Sequence, residues 1–295
     1  MKKTLLTFKA IVIIILLFSS CTENEIETIE TCTGENESIE INRFLTKLET
    51  IHPGNIPTTK NYEFSYDSDN LLEQVNESTF DYDIYRNYNY CSNNLVEVDN
   101  NYHFRYDTNN RLIEYHNTNS YLNDYQLNYN TNKIIVSGLI NSKANTTIVL
   151  ETNSNDLVIK INREDGYSTF DYDANGNLIS AKEFNNSNAL IANFEISYDT
   201  NPNPFYGQLQ TSYIERFINY FSDSVILGIH NFFRLNQYNF PYLKNNPIKL
   251  KDINCTSCYD IILDRTYEYD EQNYPLKMNE SYLGTPTVAY EYQYE

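Results

Sequence analysis

The feature that most constrains the fold is a short motif that recurs along the chain. It consists of an aromatic residue, one variable residue, Tyr, Asp, a polar turn and an apolar residue. Side chains two apart share one face of a β-strand, so this period of two predicts β-hairpins. The clearest copies are YEFSYDSDNLLEQV from Tyr62, YHFRYDTNNRLIEY from Tyr102, YSTFDYDANGNLISA from Tyr167, FEISYDTNPNPF from Phe194 and TYEYDEQNYPLKM from Thr266.

The aspartate of each copy can accept hydrogen bonds from backbone N–H groups further along, which closes a local turn. Asn70, Asn110 and Gly176 can adopt the left-handed conformation that such turns need, and an apolar residue then starts the return strand. We therefore assign structural roles to the Tyr-Asp pairs of the five copies: Tyr66, Asp67, Tyr106, Asp107, Tyr172, Asp173, Tyr198, Asp199, Tyr269 and Asp270.

Weaker copies lie between the clear ones. Cys91 and Asn130 stand where aspartate is expected, and TNSNDLVIKI from Thr152 is degenerate. Self-similarity at a spacing of about one hairpin per copy predicts a repeat architecture. The predicted fold is mainly β, a curved antiparallel sheet of repeated hairpins with a small helical block packed on it. About 14 strands would give an open sheet roughly 65 Å long, which would curl without enclosing anything.

On these motifs the chain resembles the YD repeats of the Rhs and teneurin families, and more specifically the short YD-repeat lipoproteins of Bacteroidota. The resemblance covers roughly residues 60–295. It departs from the family pattern by using Asn or Asp where Gly is usual. In the long relatives the repeat forms a closed shell, but this chain has too few copies to enclose anything.

The N-terminus predicts export. Lys2 and Lys3 precede an apolar run over residues 11–18, which predicts a signal peptide over residues 1–20. The junction FSSC resembles a bacterial lipobox, which implies lipidation of Cys21; an ordinary secreted protein is the alternative. Residues 21–38 form an acidic stretch, which predicts a disordered tether. Its resemblance to surface-export signals implies the outer face of the outer membrane.

Charge narrows the possible partners. The chain has 21 Lys and Arg against 40 Asp and Glu, a net charge of −19. Phosphate backbones repel such a chain, so no nucleic-acid partner is expected. Membrane association would come from the lipid anchor. Residues 39–295 are expected to form one domain.

One block, about residues 203–250, interrupts the repeat. Ser212 and Glu215 predict a capping box for a helix, Asp223 predicts the cap of a second, and residues 38–51 predict a further helix before the sheet. The aromatic residues of the block either face a ligand or cover the apolar face of the sheet. These candidate ligand-binding residues are Tyr206, Phe232, Phe233, Tyr238 and Phe240.

Signals for chemistry are few. Cys255 and Cys258 are a disulfide candidate, since the compartment is oxidising. The segment DYDANGNL approaches a calcium loop, but Lys182 occupies its twelfth position, where glutamate is required. No metal or cofactor is predicted. The sequence favours a non-catalytic, lipid-anchored surface module that either binds a glycan or an envelope protein or serves as a scaffold for one. The alternative is a lipid-anchored hydrolase with a site between the sheet and the aromatic block.

Overall fold

The computed structural model describes residues 43–54, 58–118, 121–232, 243–254 and 261–295. Two helices, α1 (Tyr213–Phe221) and α2 (Val225–Phe232), follow a 3-10 turn at Gln210–Ser212. Within the described residues, no helix has the length and hydrophobicity that crossing a bilayer requires. The strands are β1 (Leu45–His52), β2 (Thr58–Tyr66), β3 (Leu72–Ser78), β4 (Asp83–Cys91), β5 (Asn94–Val98), β6 (Tyr102–Tyr106), β7 (Leu112–Asn117), β8 (Asp124–Asn130), β9 (Lys133–Ile140), β10 (Lys143–Thr152), β11 (Val158–Arg163), β12 (Gly166–Tyr172), β13 (Leu178–Asn185), β14 (Leu190–Pro202), β15 (Asn245–Asp252), β16 (Ile261–Tyr269), β17 (Pro275–Tyr282) and β18 (Thr285–Tyr294).

The strands form a closed antiparallel barrel. Each strand pairs with its neighbours in sequence, and β1 pairs with both β2 and β18. The prediction of an open curved sheet was therefore wrong, although the mainly β class is confirmed. The described chain has 18 strands rather than about 14. Since the first and last strands pair with each other, the described strands leave no edge unpaired.

The helix predicted over residues 38–51 is also wrong where the structure describes it. Residues 45–52 form β1, whose Leu48 lies opposite Tyr292 on one side and Tyr62 on the other. Leu45 and Leu48 are buried. The apolar spacing suited a helix, but pairing on both sides satisfies the backbone of this segment and closes the ring, which a helix could not do.

The two faces of the barrel differ in polarity. Buried strand residues are mainly apolar and point inward, as Val75, Val136 and Leu150 do. Their neighbours along each strand point outward and are mainly polar, such as Asn87 and Asn89 of β4. Barrels that face lipid show the opposite arrangement, with an apolar outer band.

The Tyr-Asp turns all lie at one end of the barrel, called here the turn end; the opposite end is the loop end. In four copies the aspartate Oδ1 accepts two backbone N–H groups, two and four residues ahead: Asp67, Asp107, Asp173 and Asp270. Asn153 does the same in the degenerate copy, at 2.9 and 3.1 Å. Asn70, Asn110 and Gly176 have φ of 65°, 59° and 82°.

The tyrosines connect one hairpin to the one before it. The hydroxyl of Tyr106, for example, donates to the backbone carbonyl of Leu95 at 2.9 Å. Among the described residues, eight bonds of this kind cross between strands that no turn joins at this end. They run from Tyr66 to Leu45, Tyr90 to Leu72, Tyr106 to Leu95, Tyr129 to Leu112, Tyr172 to Val158, Tyr198 to Leu178, Tyr267 to Pro247 and Tyr294 to Pro275. We call this set the tyrosine ladder.

The ladder departs from its pattern in two places. Between β9 and β10 the tyrosine position is held by Thr152, whose backbone N–H bonds to the Asn132 carbonyl at 3.0 Å. In the last clear copy Tyr267 makes the ladder bond, while Tyr269 donates to the carboxylate of Asp199. This second departure lies where the helical block joins the barrel.

The sequence analysis predicted that the block between β14 and β15 lies on a sheet. The structure shows instead that this block enters the barrel. We call residues 203–232 of this block the plug. Backbone N–H groups of Leu72 and Leu95 donate to Gln208 Oε1 at 2.9 Å and to Thr211 Oγ1 at 3.1 Å. The N–H of Val158 donates to the Tyr213 hydroxyl at 3.2 Å. These three strand residues also supply ladder carbonyls, so the plug binds the N–H and a ladder tyrosine binds the C=O of the same residue.

Candidate ligand-binding site

The plug packs against one wall of the barrel. Phe170 of β12 lies 4.7 Å from the ring of Phe217 and 5.1 Å from that of Phe221. Gly228 of α2 permits close contact between the helices, because a Cβ there would lie 2.3 Å from the Tyr220 carbonyl oxygen. The plug thus fills the β8–β14 side of the lumen.

Charged side chains of the wall hold the helix ends. Glu183 of β13 accepts from Ser224 Oγ at 2.9 Å and from the backbone N–H of Val225 at 3.0 Å. Arg163 of β11 donates to the Phe221 carbonyl at 3.4 Å. A carboxylate at a helix N-terminus and a guanidinium at a C-terminus both stabilise the helix dipoles. The predicted caps are replaced, since Ser212 makes no side-chain cap and Asp223 pairs with Lys143.

The opposite side of the lumen contains a cavity of about 530 Å³, which we call chamber A. It lies toward the loop end, between α2 and strands β1, β2 and β16 to β18. Pockets of 300 to 1,000 Å³ are typical of small-molecule sites. The lining residues are Thr50, His52, Lys60, Tyr62, His230, Leu263, Glu280, Tyr282, Thr287, Val288 and Tyr290.

Chamber A combines aromatic rings with polar groups. Tyr282 meets the ring of His230 edge-on at 5.9 Å. Glu280 accepts two bonds from the guanidinium of the buried Arg265, at 3.0 and 2.8 Å. Burial, with a smaller contribution from Lys60, lowers the pKa of His52, which favours the neutral imidazole.

Thr50 is the polar group whose environment points most directly to a ligand. It is 3% exposed and lines chamber A. Its hydroxyl has no hydrogen-bond partner among the described residues. A buried hydroxyl without a partner costs about 1 to 3 kcal/mol, so a hydroxylated ligand in the chamber would recover this energy.

A second cavity, chamber B, has a volume of about 160 Å³. It lies between α1 and strands β4 to β7. Two arginines line it, Arg86 from β4 and Arg216 from α1, together with Glu215. Arg86 is paired with the carboxylate of Asp99, and its guanidinium lies 5.8 Å from the ring centre of Tyr102.

Glu215 is a buried carboxyl at this chamber. Burial raises its pKa to about 7, against the opposing effects of Arg216 and of a hydrogen bond from Asn219. Burial therefore favours the protonated form of Glu215 more than it is favoured in an exposed carboxyl group.

The structure separates the members of the predicted aromatic cluster. Phe232 is buried 5.4 Å from the ring of Phe221, as part of the core. Tyr206 is half-buried, and its backbone N–H bonds to the Asn203 carbonyl at the turn end. Phe233, Tyr238 and Phe240 lie outside the described residues.

The cysteine predictions also fall on undescribed parts of the chain. Cys21, Cys255 and Cys258 lie outside the described residues, so the lipidation site and the predicted pair stay predictions. Cys91 is disulfide-bonded. Among the described residues no group of three or more His, Cys, Asp and Glu side chains could hold a metal ion.

The lining of both chambers was missed by the sequence analysis. Lys60, Arg86 and Glu280 each stand two residues from a buried apolar strand residue, namely Tyr62, Tyr88 and Met278. A charged residue in the inward phase of a strand is the signal that could have identified them.

Comparison with known proteins adds little. No family model and no curated protein matches the chain. Among solved structures, the chain is similar to a porin-like protein from Bacteroides uniformis, at 12% identity and a TM-score of 0.29. The match covers 85% of this chain and 98% of that one. At this score we base no conclusion on the similarity.

Proposed function

We propose that the protein is a non-catalytic, lipid-anchored binding protein of the outer membrane that takes a small, hydroxyl-rich ligand, such as a mono- or disaccharide, into chamber A. The observation that carries this proposal is the buried Thr50 hydroxyl at a cavity of about 530 Å³. Tyrosine rings beside polar groups suit the apolar faces and hydroxyl edges of a sugar. An internal chamber favours a small glycan over an envelope protein.

The architecture supports this arrangement at a membrane surface. The outward strand residues are mainly polar, so we place the barrel outside the bilayer, held by the lipid on Cys21. The chain enters the barrel through Leu45 at the turn end, while chamber A lies toward the loop end.

Binding is favoured over hydrolysis by the lining of the chamber. Hydrolysis of glycosidic bonds commonly uses two carboxyl groups on either side of the bond. Among the described residues that line chamber A, Glu280 is the one carboxylate, and Arg265 holds it in a buried ion pair. Turnover of any bound saccharide by the purified protein would overturn the non-catalytic assignment.

Thr50→Val tests the chamber directly. Valine replaces the hydroxyl with a methyl group of similar size, so the fold should keep or slightly gain stability. We expect affinity for a saccharide identified by calorimetry from a panel of mono- and disaccharides to fall about fivefold, the loss of one hydrogen bond. Thr59→Val, on an exposed position of neighbouring β2, is the matched control. Equal affinities for the two variants would contradict the proposed site.

Cys21→Ala tests the anchor. Two or more acyl chains bury the apolar area that holds such a protein at a membrane, and the acidic tether offers no substitute. We expect the variant to move to the soluble fraction, whereas Cys32→Ala stays with the membranes. A Cys21→Ala protein that still sediments with membranes after a high-salt wash would refute lipidation at this residue.

A further inference from the structure

Charged side chains at chamber A form two ion pairs, which bear on the ligands that the chamber can accept. Lys60 Nζ donates to Glu77 Oε1 at 2.8 Å, and the Arg265 guanidinium pairs with Glu280. Lys60 and Glu280 line the chamber, while Glu77 and Arg265 are 3% and 4% exposed. Each of these two lining charges is therefore offset by a buried partner of opposite sign.

The Glu280 carboxylate is occupied on both oxygens. Its Oε2 accepts the two bonds from Arg265, at 3.0 and 2.8 Å, and its Oε1 accepts the Thr287 hydroxyl at 3.2 Å. A ligand at this wall therefore meets a carboxylate that is already neutralised and hydrogen-bonded.

Lys60 lies next to the hydroxyl that the proposed function assigns to the ligand. In the pairing of β1 with β2, Lys60 stands directly opposite Thr50, and both residues line chamber A. Side chains paired in this way have Cβ atoms about 5 Å apart. A ligand group that bonds to Thr50 therefore lies within reach of the Lys60 ammonium.

Glu77 makes this position unsuited to an acidic group. A carboxylate that leaves water for the chamber loses its hydration and needs a counter-charge, but Glu77 already offsets the charge of Lys60 at 2.8 Å. Glu77 would also repel a second carboxylate at this position, whereas a neutral hydroxyl meets neither obstacle. Building on the proposed function of chamber A, we propose that the chamber selects uncharged saccharides over acidic ones, and that Glu77 sets this selectivity by neutralising Lys60.

Titration calorimetry of the full-length wild-type protein tests the selectivity. The probes are glucose and galactose, each also as its uronic acid and its uronamide, at pH 8, above the ordinary histidine pKa of about 6.5. The amide has nearly the shape of the carboxylate without its charge. We expect each uronamide to bind at least tenfold more tightly than the corresponding uronic acid.

Glu77→Gln tests the cause of the selectivity. Glutamine keeps the size of the side chain and removes its charge, so the Lys60 ammonium can form charge-assisted hydrogen bonds with a ligand carboxylate. We expect the affinity for the uronic acid, relative to that for the uronamide, to rise at least tenfold. Glu63→Gln is the matched control, because it removes the same charge from an exposed position of β2 and should leave this ratio unchanged.

Two results would overturn the inference while leaving the saccharide site in place. They are equal binding of acid and amide by the wild-type protein, and a folded Glu77→Gln protein with an unchanged ratio. If Glu77→Gln does not fold, Glu77→Asp withdraws the carboxylate from Lys60 by one methylene, and its ratio should move in the same direction. By contrast, no binding of any uncharged probe contradicts the proposed function itself, and the inference falls with it.

Discussion

Tyr106→Ala is expected to lower the free energy of unfolding by about 3 kcal/mol, the lower end of the range for removing a core aromatic ring. The ring packs against the core while its hydroxyl reaches the Leu95 carbonyl at 2.9 Å. The variant loses apolar contacts and leaves that carbonyl without its tyrosine partner. Urea unfolding followed by circular dichroism measures the change.

Tyr106→Phe separates the two contributions. It keeps the ring and removes the hydroxyl, so a loss of about 1 kcal/mol is expected. Tyr85→Ala is the matched control, because Tyr85 is 53% exposed on β4; its effect should stay within about 0.5 kcal/mol. If Tyr106→Ala unfolds at the same urea concentration as the control, the ladder has no structural role.

The ladder explains why the sequence repeats tyrosine and aspartate together. The aspartate closes a turn within its own hairpin, and the tyrosine bonds to the start of the return strand in the preceding one. At the turn end, covalent turns and tyrosine bonds therefore alternate around the barrel. The exception at Thr152 lies in the copy that the sequence already marked as degenerate.

Local features were predictable because local chemistry determines them. The period of two, the aspartate turns and the left-handed Asn70 and Asn110 follow from strand geometry and turn preferences. The α1 and α2 helices were also predicted, from apolar spacing at residues 214–229. None of these signals depends on residues far apart in the chain.

Closure and the chambers were not predictable in this way. Closure depends on the pairing of β1 with β18, whose residues are separated by almost the whole chain. The chambers depend on which wall the plug contacts, which Phe170 and Glu183 decide through packing and helix capping. Phe232, for which the sequence left ligand contact and core packing as alternatives, packs in the core.

The plug links the pH dependence of stability to chamber B. Glu215 sits on α1, and burial raises its pKa to about 7 from an ordinary value of 4.5. As the pH rises, the Glu215 carboxyl loses its proton at a lower pH in the unfolded chain than in the folded protein. The folded state therefore binds more protons between pH 4.5 and about 7. Its contribution to stability is therefore present below pH 4.5 and is lost as the pH rises toward 7.

Glu215→Gln is expected to remove the loss of stability that the wild-type protein shows as the pH rises. Glutamine resembles the protonated carboxyl in shape and does not titrate, so the variant and the wild type should have similar stability near pH 4.5. At pH 8 the variant should be more stable by roughly 3 kcal/mol, from about 1.4 kcal/mol for each unit of the shift. Urea unfolding of both proteins at the two pH values measures the difference, with Glu63→Gln on the exposed face of β2 as the control. Other groups titrate equally in both proteins. Parallel plots of unfolding free energy against pH would therefore show that Glu215 ionises at its ordinary pKa. The charge at chamber B would then be balanced by this carboxylate.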